Sequence, residues 1–422
     1  MASAVERAFR AESGRALATL ARLLGDLSAA EDAFQDAYVE ALRSWPVRGL
    51  PANRGAWITT TARNRALDRM RRESSRGTRE EAAVRMVPGS EERLAAEVTP
   101  VPDDQLRLLF TCAHPALAAE AQVALTLRLV CGLSAAEIAR ALLSTESTIT
   151  RRLSRAKAKI RTAAIPFRVP PAALLPERLP VVLACTSLVF TEGYAATAGD
   201  ALVRVDLCTE GVRLATLLVE LMPDEPEARG LLALLLLQDS RRAARLGAGG
   251  ELVLLEDQDR GRWDAAAIRR GLDELAQAVR RDTVGPYQLQ AAIAAAHATA
   301  PSWEATDWPL IALYAQLAGV APSPVVEVNR AVAVAFAEGP ASGLAVLDAV
   351  AGDPRLAHSH RLPATRADLL RRLGRLDEAV DEYRRALGRV GTTPERSFLE
   401  QRLAEISGSG GAAPSRAPRR SH

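Results

Sequence analysis

Cysteine is scarce in this chain of 422 residues, and the four present (Cys112, Cys131, Cys185 and Cys208) are scattered and form no CxxC or CxH pair, which argues against both a disulfide framework and a zinc site. Aromatic residues make up only 4%, while Ala, Leu and Arg are plentiful, a balance that favours helices over sheets and leads to the expectation of an all-α protein. The first thirty residues lack an apolar signal core, being interrupted by Glu6, Arg7, Arg10, Glu12 and Arg15. The longest apolar run, Leu231 to Leu237, is far too short to span a bilayer, so a cytoplasmic protein without membrane attachment is expected. None of the five histidines has metal-ligand spacing, and neither a phosphate-cradling glycine loop nor a nucleophile motif occurs. The expectation is therefore no catalytic residue, no metal and no cofactor.

What is present is ordinary globular material, with 48% hydrophobic and 25% charged residues, long enough for two to three domains. The net charge of +3 is too small to identify a polyanionic partner, so the distribution of charge has to decide. Five segments emerge. Residues 1–76 read as helices; 77–104 form an acidic, Ser-, Gly- and Pro-containing linker; 105–168 are helical again and end at the prolines Pro166, Pro170 and Pro171. Residues 169–406 are a succession of apolar helices separated by breakers, and 407–422 read as a disordered Gly, Ser, Pro and Arg tail.

The strongest local signal lies between Leu133 and Arg161. Ser134 and Glu137 have the spacing of a capping box that starts a short helix, and Thr145 can cap a second one after a brief turn, giving a helix-turn-helix layout. In the second helix Ile149, Leu153, Ala156 and Ile160 form one apolar face, while Arg151, Arg155 and Lys159 follow one another at i+4 steps on the other. Lys157 and Lys159 are the only lysines in the chain. Ser147, Thr148, Thr150, Arg151 and Arg152 occupy the first turns, where a recognition helix reaches base edges, and the later cations suit phosphates.

Two further helices in residues 1–76 carry functional patterns. One has Phe34, Ala37, Tyr38, Ala41 and Trp45 on its inner side and a carboxylate row of Asp32, Asp36 and Glu40, which cannot hold DNA and is either a solvated face or a dock for a basic protein. The next, Ala56 to Arg72, is expected to bury Trp57, Ile58, Ala62, Ala66 and Met70 and to display Thr60, Arg63, Asn64, Asp68 and Arg71, a mixture of base-reading and phosphate-binding groups.

The run Ala30-Glu31-Asp32-Ala33-Phe34-Gln35-Asp36-Ala37-Tyr38, with Trp45, Pro51, Trp57 and Thr61 to Arg69, resembles region 2 of the extracytoplasmic-function sigma factors of the sigma-70 family, and the helix-turn-helix resembles their region 4. The phrases Val101 to Cys112, Val123 to Leu129, Phe190 to Tyr194, Leu254 to Asp259 and Gly285 to Gln290 resemble the subgroup that carries a tetratricopeptide-like (TPR-like) C-terminal extension. The resemblance implies that Glu31, Asp32, Gln35, Asp36 and Glu40 meet the clamp helices of core RNA polymerase, with the flap as a second contact. It implies that Trp45, Asn53, Trp57, Thr60, Arg63, Asn64 and Arg71 open and read the minus-ten promoter element. It also implies that Thr145, Ser147, Thr148, Thr150, Arg151, Arg152, Arg155 and Lys159 read the minus-thirty-five element, and that the linker occupies the RNA path. A helix-turn-helix regulator with a repeat sensor, binding operator DNA without polymerase, is the alternative.

In the fourth segment, 169–406, Ala367, Leu370, Gly374, Leu376, Ala379, Tyr383 and Ala386 follow the order of a TPR helix pair, and Gly339 lies 35 residues before Gly374, close to one repeat period. An unknown protein or ligand is the expected partner of this segment. Glu256, Asp257 and Asp259, beside Arg260, Arg262 and Trp263, read as a polar turn with internal ion pairs rather than a catalytic cluster.

Overall fold

The computed structural model describes residues 2–76, 103–142, 144–197, 199–281, 283–306 and 310–409. The expected linker, apart from its last two residues, and the tail beyond residue 409 lie outside the described residues. The fold is all-α, and among the described residues extended pairing is limited to two isolated bridges, Gly199 with Thr392 and Leu246 with Leu252. The chain divides into two compact units, Met1–Gly193 with Val205–Leu217, and Tyr194–Arg204 with Leu218–His422.

The first unit begins with α1 (Ala2–Leu24), α2 (Leu27–Arg48) and α3 (Arg54–Arg76). Asp26 starts α2 by accepting the amides of Ser28 and Ala29, and Gly49, at φ +82°, ends it. Five of the chain's few rings gather here. Phe9 packs against Phe34, Tyr38 and Trp45 at 5.2, 5.1 and 5.8 Å, and Trp45 meets Trp57 edge-on at 5.1 Å. Ile58, Ala62 and Ala66 of α3 are buried as their spacing predicts.

The unit continues with α4 (Asp103–Cys112), α5 (Ala119–Leu129), α6 (Ala135–Ala141) and α7 (Glu146–Thr162). The capping box at the start of α6 is formed in both directions: the Ser134 amide donates to Glu137 Oε2 at 2.7 Å, and the Glu137 amide donates to Ser134 Oγ at 3.1 Å. Thr145 caps α7 by accepting the Thr148 amide at 3.3 Å. From sequence the repeat domain is expected to start at residue 169, but α8 (Leu175–Tyr194) and α9 (Val205–Leu221) as far as Leu217 pack with the first unit. Thr126 of α5 donates to buried Cys185 of α8 at 3.3 Å, and Arg213 of α9 donates to Gln105 of α4 at 2.5 Å. Helix α7 stops at Thr162, ahead of Pro166, Pro170 and Pro171, and these prolines separate α7 from α8 without ending the packed unit.

The second unit contains α10 (Pro226–Asp239), α11 (Ala265–Val279), α12 (Pro286–Thr299), α13 (Leu310–Val320), α14 (Pro324–Glu338), α15 (Pro340–Val350), α16 (Arg361–Arg372), α17 (Leu376–Leu387) and α18 (Thr393–Ser409). The helix pairs α14–α15 and α16–α17 turn at Gly339 and Gly374, at φ +102° and +76°, a conformation in which a side chain would be strained. Ala367, Leu370, Ala379, Tyr383 and Ala386 are buried together with Val328, Ala331, Leu344 and Leu347, so consecutive helical hairpins share one core.

Candidate nucleic-acid interface

The second helix of the helix-turn-helix, α7, has two chemically opposite faces. Ile149, Leu153, Ala156 and Ile160 are all buried, as their spacing predicts. Thr145, Ser147, Thr150, Arg151, Arg155 and Lys159 are exposed, and Thr148 and Arg152 are half-buried. Arg151, Arg155 and Lys159 form no ion pair among the described residues. Like charges at i+4 steps repel by a few tenths of a kcal/mol per pair, a cost that an anionic partner removes. A short hydroxyl-rich tip followed by a cationic flank suits the major groove, with bases at the tip and phosphates beyond.

On α3, Thr60 and Asn64 are exposed and Arg63 is half-buried, whereas the side chain of Arg71 lies outside the described residues. Asn53 is exposed and uses its side-chain oxygen to accept the Ala56 amide at 3.0 Å, starting the helix. Trp57 is half-buried against Trp45. Trp45 requires a correction: at 1% exposure it belongs to the core, because α1 supplies Phe9 and α3 supplies Trp57 to enclose it. It cannot touch DNA without unfolding that cluster.

The carboxylate row is brought together on α2 and is ion-paired within the protein. Arg69 of α3 binds Asp32 at 3.1 Å and Asp36 at 2.6 Å, and Arg65 binds Glu40 at 2.6 Å. The Asp32 and Asp36 side chains keep 64% and 42% of their exposure, and Gln35 is exposed, so much of the row stays accessible. Glu31 differs. Its side chain is only 10% exposed, and it accepts from Lys157 at 2.6 Å and from Arg128 at 3.3 Å.

Glu31 thereby links α2 to α5 and α7, and three more features close the same junction. Arg10 of α1 binds Glu137 at 2.7 Å, and Arg22 binds buried Asp104 at 2.8 Å. Burial pushes the Glu137 carboxyl upward, but hydrogen bonds from Ser134 and the neighbouring Arg10 outweigh it and hold the group below its ordinary value. Gly14 of α1 lies so close to the turn after α5 that a Cβ there would stand 2.6 Å from the carbonyl oxygen of Val130. Sequence reasoning missed Lys157, Arg128, Arg10 and Glu137 as partners, since nothing local pairs residues a hundred positions apart.

In the second unit, Glu256 binds Arg372 rather than a neighbour, whereas Asp259 caps its own turn by accepting the Gly261 amide at 2.9 Å. Among the described residues no group of His, Cys, Asp and Glu is arranged to hold a metal ion, and no helix is long and apolar enough to cross a membrane.

Comparison with known proteins matches residues 8–76 to the family described as Sigma-70 region 2 and residues 107–160 to Sigma-70, region 4. Residues 178–279 match a family of unknown function (DUF6596). The chain is 43% identical over 397 residues to an uncharacterised protein of Rhizobium meliloti (strain 1021), covering 93% of each.

Proposed function

The chain belongs to the sigma-70 family, and from that premise we propose that it is an RNA polymerase sigma factor of the extracytoplasmic-function type whose activity is modulated by a TPR-like C-terminal domain. The observation that carries this reading is the pairing, in one unit, of two separate surfaces suited to DNA, the exposed face of α7 and that of α3, with an accessible carboxylate row on α2. An operator-binding regulator has use for the first surface only.

In this reading residues 1–76 act as region 2, 77–104 as the linker, 105–168 as region 4 and 169–406 as the modulating domain, with 407–422 as a tail. Asp32, Gln35, Asp36 and Glu40 meet the basic clamp helices, Thr60, Arg63, Asn64 and Trp57 meet the minus-ten element, and α7 enters the major groove at minus thirty-five. Single-stranded bases suit stacking on Trp57, and arginines suit the backbone.

The two promoter elements lie about 25 base pairs apart, about 85 Å at 3.4 Å per pair. A 2.6 Å ion pair from α2 to α7 is incompatible with that separation, so the polymerase-bound form requires the Glu31 junction to open. Asp103 and Asp104 belong to α4, and the 26 residues of 77–102 reach at most about 85–95 Å when extended, enough to span it. The packed arrangement therefore corresponds to the protein off the promoter.

The reading is tested by affinity co-purification of the full-length protein with core RNA polymerase. Retention of the core subunits supports it, and binding of promoter duplex without any association with core favours the operator-binding regulator.

A further inference from the structure

A cavity of about 360 Å³ lies in the second unit, between the Leu254–Glu256 segment and helices α12, α13, α14, α16, α17 and α18. In a chain with so few rings, Trp303, Tyr314, Phe336, Tyr383 and Phe398 all line it. Their arrangement is ordered. Trp303 meets Phe336 edge-on at 4.7 Å and stacks parallel to His297 at 5.8 Å. The Arg372 guanidinium lies 4.6 Å from the centre of the Phe336 ring. Exposed Asn329 also lines the cavity, so it communicates with solvent.

The charged groups of the lining, Glu256, Asp368 and Arg372, are satisfied among themselves and by Arg371, which lies outside the lining. Arg372 takes Glu256 through both carboxylate oxygens, at 3.0 and 3.1 Å, and Asp368 at 2.7 Å. Asp368 in turn takes Arg371 at 2.6 Å. Two carboxylates are thus matched by two guanidiniums. Burial, with Arg241 and Arg260 nearby, pushes the His297 imidazole down to about 4, so it is neutral at pH 7. An anionic ligand would have to displace a carboxylate from Arg372, and an organic cation would have to take one from its guanidinium.

The volume falls at the lower end of the about 300–1,000 Å³ typical of small-molecule sites, and it is more than twice the about 150 Å³ of an apolar cavity that holds one benzene. We propose that this cavity is a binding site for an uncharged, planar aromatic molecule of about two linked or fused rings, held between Trp303, Phe336 and Tyr383 and oriented by the polar groups at one wall. The site stands on its own geometry, so it does not depend on the polymerase reading.

The test uses the full-length protein and N-phenylnaphthylamine, an uncharged two-ring probe whose emission rises in apolar surroundings. Anilinonaphthalene sulfonate serves as its anionic counterpart, and phenyltrimethylammonium as a cationic competitor. Thr365→Trp, at a half-buried lining position, and Asn329→Trp, at the exposed mouth, each fill the cavity from its open side. The expected result is saturable micromolar binding of N-phenylnaphthylamine, weakened roughly tenfold or more by either variant, with the sulfonate at least as weak and no displacement by the ammonium. Thermal unfolding of each variant without probe identifies one that has failed to fold, in which case the other decides. Unchanged binding in a folded variant, equal or tighter binding of the sulfonate, or displacement by the ammonium would overturn the proposal.

Discussion

Lys157 Nζ donates to Glu31 Oε2 at 2.6 Å, closing a contact between residues 126 positions apart and joining α2, which carries the carboxylate row, to α7, the second helix of the helix-turn-helix. The Lys157 side chain is 24% exposed and that of Glu31 10%, so removing Glu31 leaves Lys157 and Arg128 without their shared carboxylate, costing up to about 3 kcal/mol, whereas removing Lys157 leaves Glu31 still paired with Arg128 and costs less. Lys157→Glu, which adds repulsion, is expected to separate the two modules of the first unit, seen as a larger radius of gyration in small-angle scattering. An unchanged radius would show that Arg10–Glu137, Arg22–Asp104 and the apolar contacts suffice without this pair.

Replacing Asp32 and Asp36 by Arg should abolish association with core RNA polymerase while leaving the fold in place. Asp32 is exposed and Asp36 half-buried, and their pairs with Arg69 are worth about 0.2–1 kcal/mol each, whereas like charges against basic clamp helices cost several kcal/mol. The measurement is a pull-down with core polymerase alongside thermal unfolding. Retained binding by the folded double variant would remove the row from the interface.

On α7 two classes of cation are expected to separate. Arg151→Ala or Arg152→Ala should cost about 1–3 kcal/mol of discrimination between promoter and altered sequences, while Lys159→Ala should weaken all sequences alike. Competition binding with duplexes mutated in the minus-thirty-five region reads the difference. Equal, sequence-independent losses for all three would reduce the helix to a phosphate contact.

The second unit should lose stability on acidification through His297. Above about pH 6.5 the imidazole is neutral in both the folded and the unfolded chain; between about 6.5 and 4 the unfolded chain takes up the proton while the buried ring does not. Stability therefore falls as the pH drops through that window, by up to about 3 kcal/mol, and levels off below about 4. Urea unfolding at pH 7 and pH 5 should show a loss in the wild type that is reduced in His297→Gln. Equal losses in both proteins would assign the dependence to other groups.

Trp45 and Glu31 mark where sequence legibility ended. The faces of α7 were readable because burial there follows the helix's own period, and the capping box at Ser134 and Glu137 is a local exchange of hydrogen bonds. The helical period puts Trp45 on the inner side of α2 with Phe34, Ala37 and Ala41, where Phe9 and Trp57 from other helices enclose it; only the family resemblance offered the ring to DNA. Glu31 sits next to Asp32 in the chain, yet one residue on a helix is a rotation of about 100°, which turns Glu31 toward Lys157 and Arg128 while Asp32 stays outward. The packing of α8 on α5 was likewise hidden, since Thr126 and Cys185 are brought together only by tertiary structure.

The most direct measurement is transcription from genomic DNA by purified core RNA polymerase with and without the full-length protein, with mapping of the transcript starts. The account predicts new, discrete start sites that appear only with the protein, share a sequence element about 35 base pairs upstream, and disappear with the Asp32→Arg/Asp36→Arg variant. Identical transcripts with and without the protein, under conditions in which it is folded and bound to core, would contradict the assignment as an initiation factor.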